Sequence, residues 1–120
     1  MSQLQPGAPS PGALAAYVEN LWGTKTRLVP QQVVPVAVTP TRLCNNNPRR
    51  LGLIVINRGS GQVDVDWNPS IVLGSGVPLA ALGGTMTLSA FEDGELVGYD
   101  LYAIAAAAGN SVSVYEIEGT

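Results

Sequence analysis

Carboxylates are the first candidates for chemistry in this chain, because paired acids exchange protons or hold cations. Asp64, Asp66 and Asn68 have the spacing of the opening D-x-D-x-N of a calcium loop. Such a loop also needs a glycine and a terminal bidentate glutamate, and those two positions hold Pro69 and Ser75. The motif fails. Glu92, Asp93 and Glu95 flank Gly94, a composition typical of a solvated turn. Cys44 lies in TRLCNNNPRR, and the chain contains no histidine to serve as its base. Arg42, Arg49 and Arg50 would favour its thiolate, yet a buried or idle thiol is the simpler expectation. The serine clusters GSGQ at 59–62 and GSGV at 74–77 lack the G-x-S-x-G frame, and Gly-Thr-Lys at 23–25 has the wrong order for a phosphate loop. No catalytic, cofactor-binding or metal-binding residue is assigned. The chain is expected not to be an enzyme and to need no cofactor.

The elements that would position any site are mostly strands. RLGLIVIN carries Leu51, Leu53 and Val55 on one face and Ile54 and Ile56 on the other, which predicts a central strand covered on both sides. After the turn RGSG, QVDVDW places Val63, Val65 and Trp67 inward and Gln62, Asp64 and Asp66 outward, and the two runs together predict a hairpin. One or two short strands are expected in NPSIVLGSGVPLAALGG. Thr85–Ala90 alternates again, and FEDGE turns the chain. Tyr99–Ala108 contains four consecutive alanines, a helical preference, but its place before a Gly-Asn turn and the alternating SVSVYEI predicts a strand. Trp67, Tyr99, Tyr102 and Tyr115 would suit a stacking platform for sugar or nucleic acid. Without interleaved basic residues they read more simply as packing.

The first 48 residues differ from the rest. They hold seven of the nine prolines, with Pro30, Pro35 and Pro40 at five-residue intervals. Proline cannot donate to a sheet ladder, so this stretch is expected to be an edge strand or an arm. Before it, Ser10, Pro11 and Gly23 suit the N-cap, first turn and C-terminal end of a short helix over about 11–22. Leu14, Tyr17, Val18, Leu21 and Trp22 form its apolar stripe, which either packs on its own domain or docks on a neighbour. The domain reading is therefore an arm over 1–48 and a β-sandwich over 49–120.

Composition narrows the function. Charged residues are only 12% of the chain, about half the usual share, so little surface is given to solvation. Every basic residue lies before position 60, and eight of the nine acids lie after it. This polarity could steer one copy onto another, or onto a different acidic surface. The sparse, outnumbered cations argue against nucleic acid. No apolar run approaches the ~20 residues of a membrane-spanning helix. A single cysteine excludes an internal disulfide, and MSQLQPGAPSPG has neither the basic start nor the apolar run of a secretory signal. Synthesis in the cytoplasm is expected.

The run Asn47-Pro48-Arg49-Arg50-Leu51-Gly52-Leu53-Ile54-Val55-Ile56-Asn57, the Val-x-Val segment, Gly76-Val77-Pro78-Leu79, Gly83-Gly84, Leu101-Tyr102-Ala103-Ile104-Ala105 and the closing Val112-x-Val114-x-Glu116 together resemble the small β-sandwich virion proteins of tailed bacteriophages. The resemblance covers residues 47–118; it departs from the group's pattern at Asp66-Trp67, where a glycine often follows the second valine. The strand pattern and the proline-rich start, together with this resemblance, predict an all-β fold, an antiparallel, jelly-roll-like β-sandwich with an extended N-terminal arm containing a short helix. The resemblance also implies a structural role as a capsid decoration, or cement, protein on the virion surface. The partners would be the major capsid protein and other copies of the chain, as a homo-oligomer such as a trimer, with neither nucleic acid nor membrane. The contact residues expected on this reading are Leu14, Tyr17, Val18, Leu21 and Trp22 of the helix, Val33, Val34, Val36 and Val38 of the proline-spaced stretch, and Arg42. A tail, baseplate or head-fibre component, and a glycan-binding module, are the alternatives.

Overall fold

Among the described residues, eight strands follow one another: β1 (Thr26–Val36), β2 (Thr41–Cys44), β3 (Arg50–Asn57), β4 (Val63–Asp66), β5 (Val77–Leu79), β6 (Thr85–Ser89), β7 (Leu101–Ala105) and β8 (Asn110–Gly119). Between β6 and β7 stand a single helical turn, α1 (Ala90–Asp93), and a 3-10 turn over Gly94–Gly98. The computed structural model describes Gly23 and residues 25–119. The expected helix over 11–22 lies outside the described residues.

Every strand pairing is antiparallel, and the strands divide into two sheets of order β1-β8-β3-β6 and β2-β7-β4-β5. Consecutive strands alternate between the sheets except β4 and β5, which pair as neighbours in the second, giving the strand order of a jelly roll, as expected. Alternation along each strand fills the space between the sheets. Leu53, Val55, Val112 and Val114 from the first sheet meet Leu43, Val63, Val65, Leu79, Leu101 and Ala103 from the second. Their burial is the main driving term, about 1.5–3 kcal/mol for each large apolar side chain.

Three expectations are corrected. The sandwich does not begin at residue 49: β1 pairs with β8 from Thr26 to Val36, and β2 pairs with β7. The proline-spaced stretch is the edge strand of the first sheet, the position a strand lacking N–H donors can occupy. Pro78 follows the same rule on β5, the edge of the second sheet. Secondly, β3 and β4 do not form a hairpin, since β3 pairs with β8 and β6 and β4 with β7 and β5. They face each other across the core, and residues 58–62 cross between sheets. Buried Asn57 anchors that crossing, donating to the carbonyls of Gly61 and Leu79 while its Oδ1 accepts from Gly59 N. Thirdly, FEDGE is no simple turn. Ser89 Oγ accepts from Glu92 N and Asp93 Oδ2 accepts from Ser89 N, a reciprocal cap that starts α1 and leads into buried Val97.

The charge polarity is met in part within the chain. Antiparallel pairing brings β1 and the start of β3 beside the end of β8, so Arg27 pairs with Glu118 and Arg50 with Glu116. Glu118 also accepts from Asn47 Nδ2 at 2.9 Å. That hydrogen bond and the one from Arg27 hold its carboxyl below the ordinary carboxylate range. A carboxylate depressed in the folded chain contributes stability that is present above its unfolded value of about 4.3, and loses it as pH falls through the lower folded value. Acid titrations of the wild type and of Glu118→Gln, followed by circular dichroism, are expected to differ above this range and converge below it.

Candidate interaction surface

A polar cleft opens at one edge of the sandwich, between β1 and β2, lined by Gln32, Arg42, Cys44, Asn45–Asn47, Arg50 and Glu116 among others. Arg50 is fully engaged at its floor. Its Nε donates to Glu116 at 2.6 Å, Nη1 to the carbonyls of Val97 and Tyr99, and Nη2 to that of Asn45. It ties β3 and β8 to the loop before it and to the 3-10 turn, and has little left to offer an anion. Cys44 is buried beside it, and burial pushes its thiol above the ordinary value despite the nearby Arg50 charge. Folded protein is therefore expected to react slowly with an aromatic disulfide reagent at pH 8 and rapidly once unfolded in urea, because the thiolate is the reactive form.

The other chemical candidates also have structural partners. Asp64 points outward from β4 yet is 1% exposed. Its carboxylate accepts from Gly74 N and from Gln62 Nε2, so loop 67–76 is drawn against the second sheet. Gly76 lies so close to Val65 that a Cβ would fall 2.6 Å from that carbonyl oxygen. Ile71 of the loop and Ile104 of β7 are buried with it. Asp66 accepts from Trp67 N, and Asn68 Oδ1 accepts from Ser70 N. Among the described residues no group of three or more His, Cys, Asp or Glu side chains gathers where it could hold a metal ion.

The two outer faces of the sandwich differ sharply. Loop 67–76 covers part of the second sheet, and the remainder presents polar groups. Arg42 lies over the Tyr102 ring and donates to its hydroxyl, which donates in turn to Asp100. The first sheet presents apolar side chains. Cross-strand rows run Leu28, Ile117, Gly52 and Ser89, then Tyr115, Ile54 and Thr87, then Val33, Ser113, Ile56 and Thr85. Leu28 is 66% and Ile117 40% exposed, while Ile54, Ile56 and Tyr115 are half-buried. Two adjoining hollows on this face share Gly52, Leu53, Ile54 and Ile117, and neither is lined by a charged residue. Gly52 makes room for the Ile117 side chain, whose Cδ1 lies 3.5 Å from where a Cβ would stand.

The expected contact residues are dispersed. Val33 lies on the apolar face, and Val38 is exposed in the turn after β1. Val36 is 2% exposed and belongs to the core, whereas Val34 is half-buried, packing against the core while lining the polar cleft. Arg42 lies on the opposite sheet. Leu14, Tyr17, Val18, Leu21 and Trp22 lie outside the described residues. Tyr115 is expected from the sequence as packing, but Leu28 and Ile117 carry no expectation from it, although the two-sided apolar pattern of β3 holds the signal. Ile54 and Ile56 face away from the core and call for a cover of their own. Comparison with known proteins returns no family model, no curated protein and no solved structure that matches this chain.

Proposed function

We propose that this chain is a structural virion protein of the capsid decoration type, which binds the outer shell across subunit boundaries and stiffens it. The observation that carries this reading is the apolar outer face of the first sheet, whose two hollows are lined by no charged residue. Exposed apolar surface rimmed by polar groups marks a protein contact. The jelly roll is an architecture used by capsid proteins, lectins and cupins, so the fold alone does not choose among them. The surface favours a protein partner over a sugar. Trp67 is half-buried with its indole N–H donated to Leu96 O, Tyr102 is held between Arg42 and Asp100, and Tyr115 lies on the opposite sheet. These rings make no common platform. The dense core and the Arg50 clamp suit a part that bears load without changing shape.

Electron microscopy of the particles of the virus that encodes this chain tests the reading. Regular copies on the capsid lattice, at positions where shell subunits meet, are expected. Density confined to the tail or a fibre, or the chain's absence from the particle, would overturn it.

A further inference from the structure

We propose that β6, an edge strand of the first sheet, pairs with β6 of a second copy, so that two chains form a two-fold symmetric dimer with their first sheets joined into one. The inference is independent of the decoration reading, because it is drawn from the edges of the sheets and its test needs no shell.

The two sheets end in four edge strands, β1, β6, β2 and β5, and three of these discourage a further strand. β1 holds Pro30 and Pro35 and shifts register between Val29 and Gln32. β5 is three residues long with Pro78 at its centre. β2 has four residues, among them Arg42, and its register shifts between Arg42 and Cys44. Proline, charge, bulges and shortness are the usual means by which a sheet blunts its edges. β6 uses none of them. Its sequence, TMTLS, has neither proline nor charge, and it pairs with β3 without a break from Thr85 to Ser89.

One side of β6 is left open. Asn57 N donates to Gly84 O, and hydrogen-bonded pairs alternate along an antiparallel ladder. Met86 and Leu88 therefore direct their backbone groups to β3, whereas those of Thr85, Thr87 and Ser89 face away from it. Ser89 N accordingly donates to Asp93. Among the described residues no hydrogen bond reaches the amides of Thr85 and Thr87, and both threonines are exposed.

The ends of this edge identify a second copy as its occupant. Leu82 and Phe91, the most exposed large apolar side chains among the described residues at 77% and 81%, bracket β6. Leu82 also holds φ +56°, a conformation that costs energy in a leucine. A two-fold axis at Thr87 sets the two Thr87 backbones to exchange hydrogen bonds and places Thr85 of each copy opposite Ser89 of the other. The same pairing carries the Leu82 turn of each copy to the Phe91 turn of the other. Charge agrees with it. Exposed Glu92 arrives about 10 Å, or two strand spacings, from the strand end that leads into exposed Arg58 of the second copy. Two-fold symmetry makes each of these contacts twice. The apolar outer faces then lie side by side, both open to a shell.

Sedimentation equilibrium of the purified full chain tests the pairing, over about 1–300 μM because a small contact makes a weak dimer. A monomer–dimer equilibrium is expected. Amide exchange followed by NMR is expected to show the Thr87 amide increasingly protected as concentration rises. Thr87→Lys sets like charges opposite each other, and Thr87→Pro removes an amide that β3 does not use. Each is expected to weaken dimerisation at least about tenfold, with circular dichroism showing the fold retained, while Arg42→Glu on the other sheet dimerises as wild type. Should Thr87→Pro fail to fold, Thr87→Lys decides. A monomer at every concentration would overturn the proposal, as would an assembly larger than a dimer, a dimer indifferent to Thr87→Lys, or one in which the Thr87 amide gains no protection. A monomeric chain that still decorates shells would count against the dimer alone, and a dimer that does not decorate them against the decoration reading alone.

Discussion

Glu116→Ala is expected to destabilise the folded chain by about 3–5 kcal/mol, because it leaves a buried guanidinium without its counter-charge. The Arg50 side chain is 1% exposed and its charged partner is the Glu116 carboxylate, 2.6 Å away. The three carbonyls it also reaches, from Asn45, Val97 and Tyr99, accept hydrogen bonds but bring no negative charge. Since ordinary domains are stable by about 5–15 kcal/mol, one substitution would consume a large part of the total. Urea denaturation provides the measurement. Glu116→Gln, which retains an acceptor, is expected to fall between alanine and wild type. The double variant Arg50→Met, Glu116→Leu is expected to lose less than Glu116→Ala, because no charge is then left buried.

Leu101→Ala is expected to cost about 2–5 kcal/mol, the usual range for emptying a core leucine site. Leu101 is wholly buried in β7 and pairs in register with Cys44. Ala103 and Ala105, its neighbours on the inner face, are small, so there is little side chain nearby to swing into the space. The same denaturation experiment reads the loss as a lower midpoint with unchanged slope.

How much of this was legible in the sequence depends on what alternation encodes. It marks which side of a strand is buried, and Leu53, Val55, Val63, Val65, Val112 and Val114 all face the core as their spacing predicts. It does not state whether two strands pair edge to edge or pack face to face, so β3 and β4 read as a hairpin although they belong to opposite sheets. Prolines caused the other error. Pro30 and Pro35 interrupt the ladder donors of β1 without preventing β1 from pairing with β8 on one side, which moves the domain boundary. Arg50 gave no local sign of its clamp, because its partners lie as many as 66 residues away. Asp64 read as solvated for a similar reason: the loop that buries it follows it in the chain and holds no regular pattern. The apolar face was the most legible part of the site, since a strand apolar on both sides requires two covers.

The decoration reading makes that face its contact surface, so the most direct test is co-sedimentation of purified protein with shells stripped of it. Wild type, Ile54→Lys and Arg42→Glu would be compared, with circular dichroism confirming that each is folded. The account predicts that Ile54→Lys weakens binding at least about tenfold, as loss of a central contact residue does, while Arg42→Glu on the opposite sheet binds as wild type. Folded Ile54→Lys protein that decorates shells as well as wild type would contradict it.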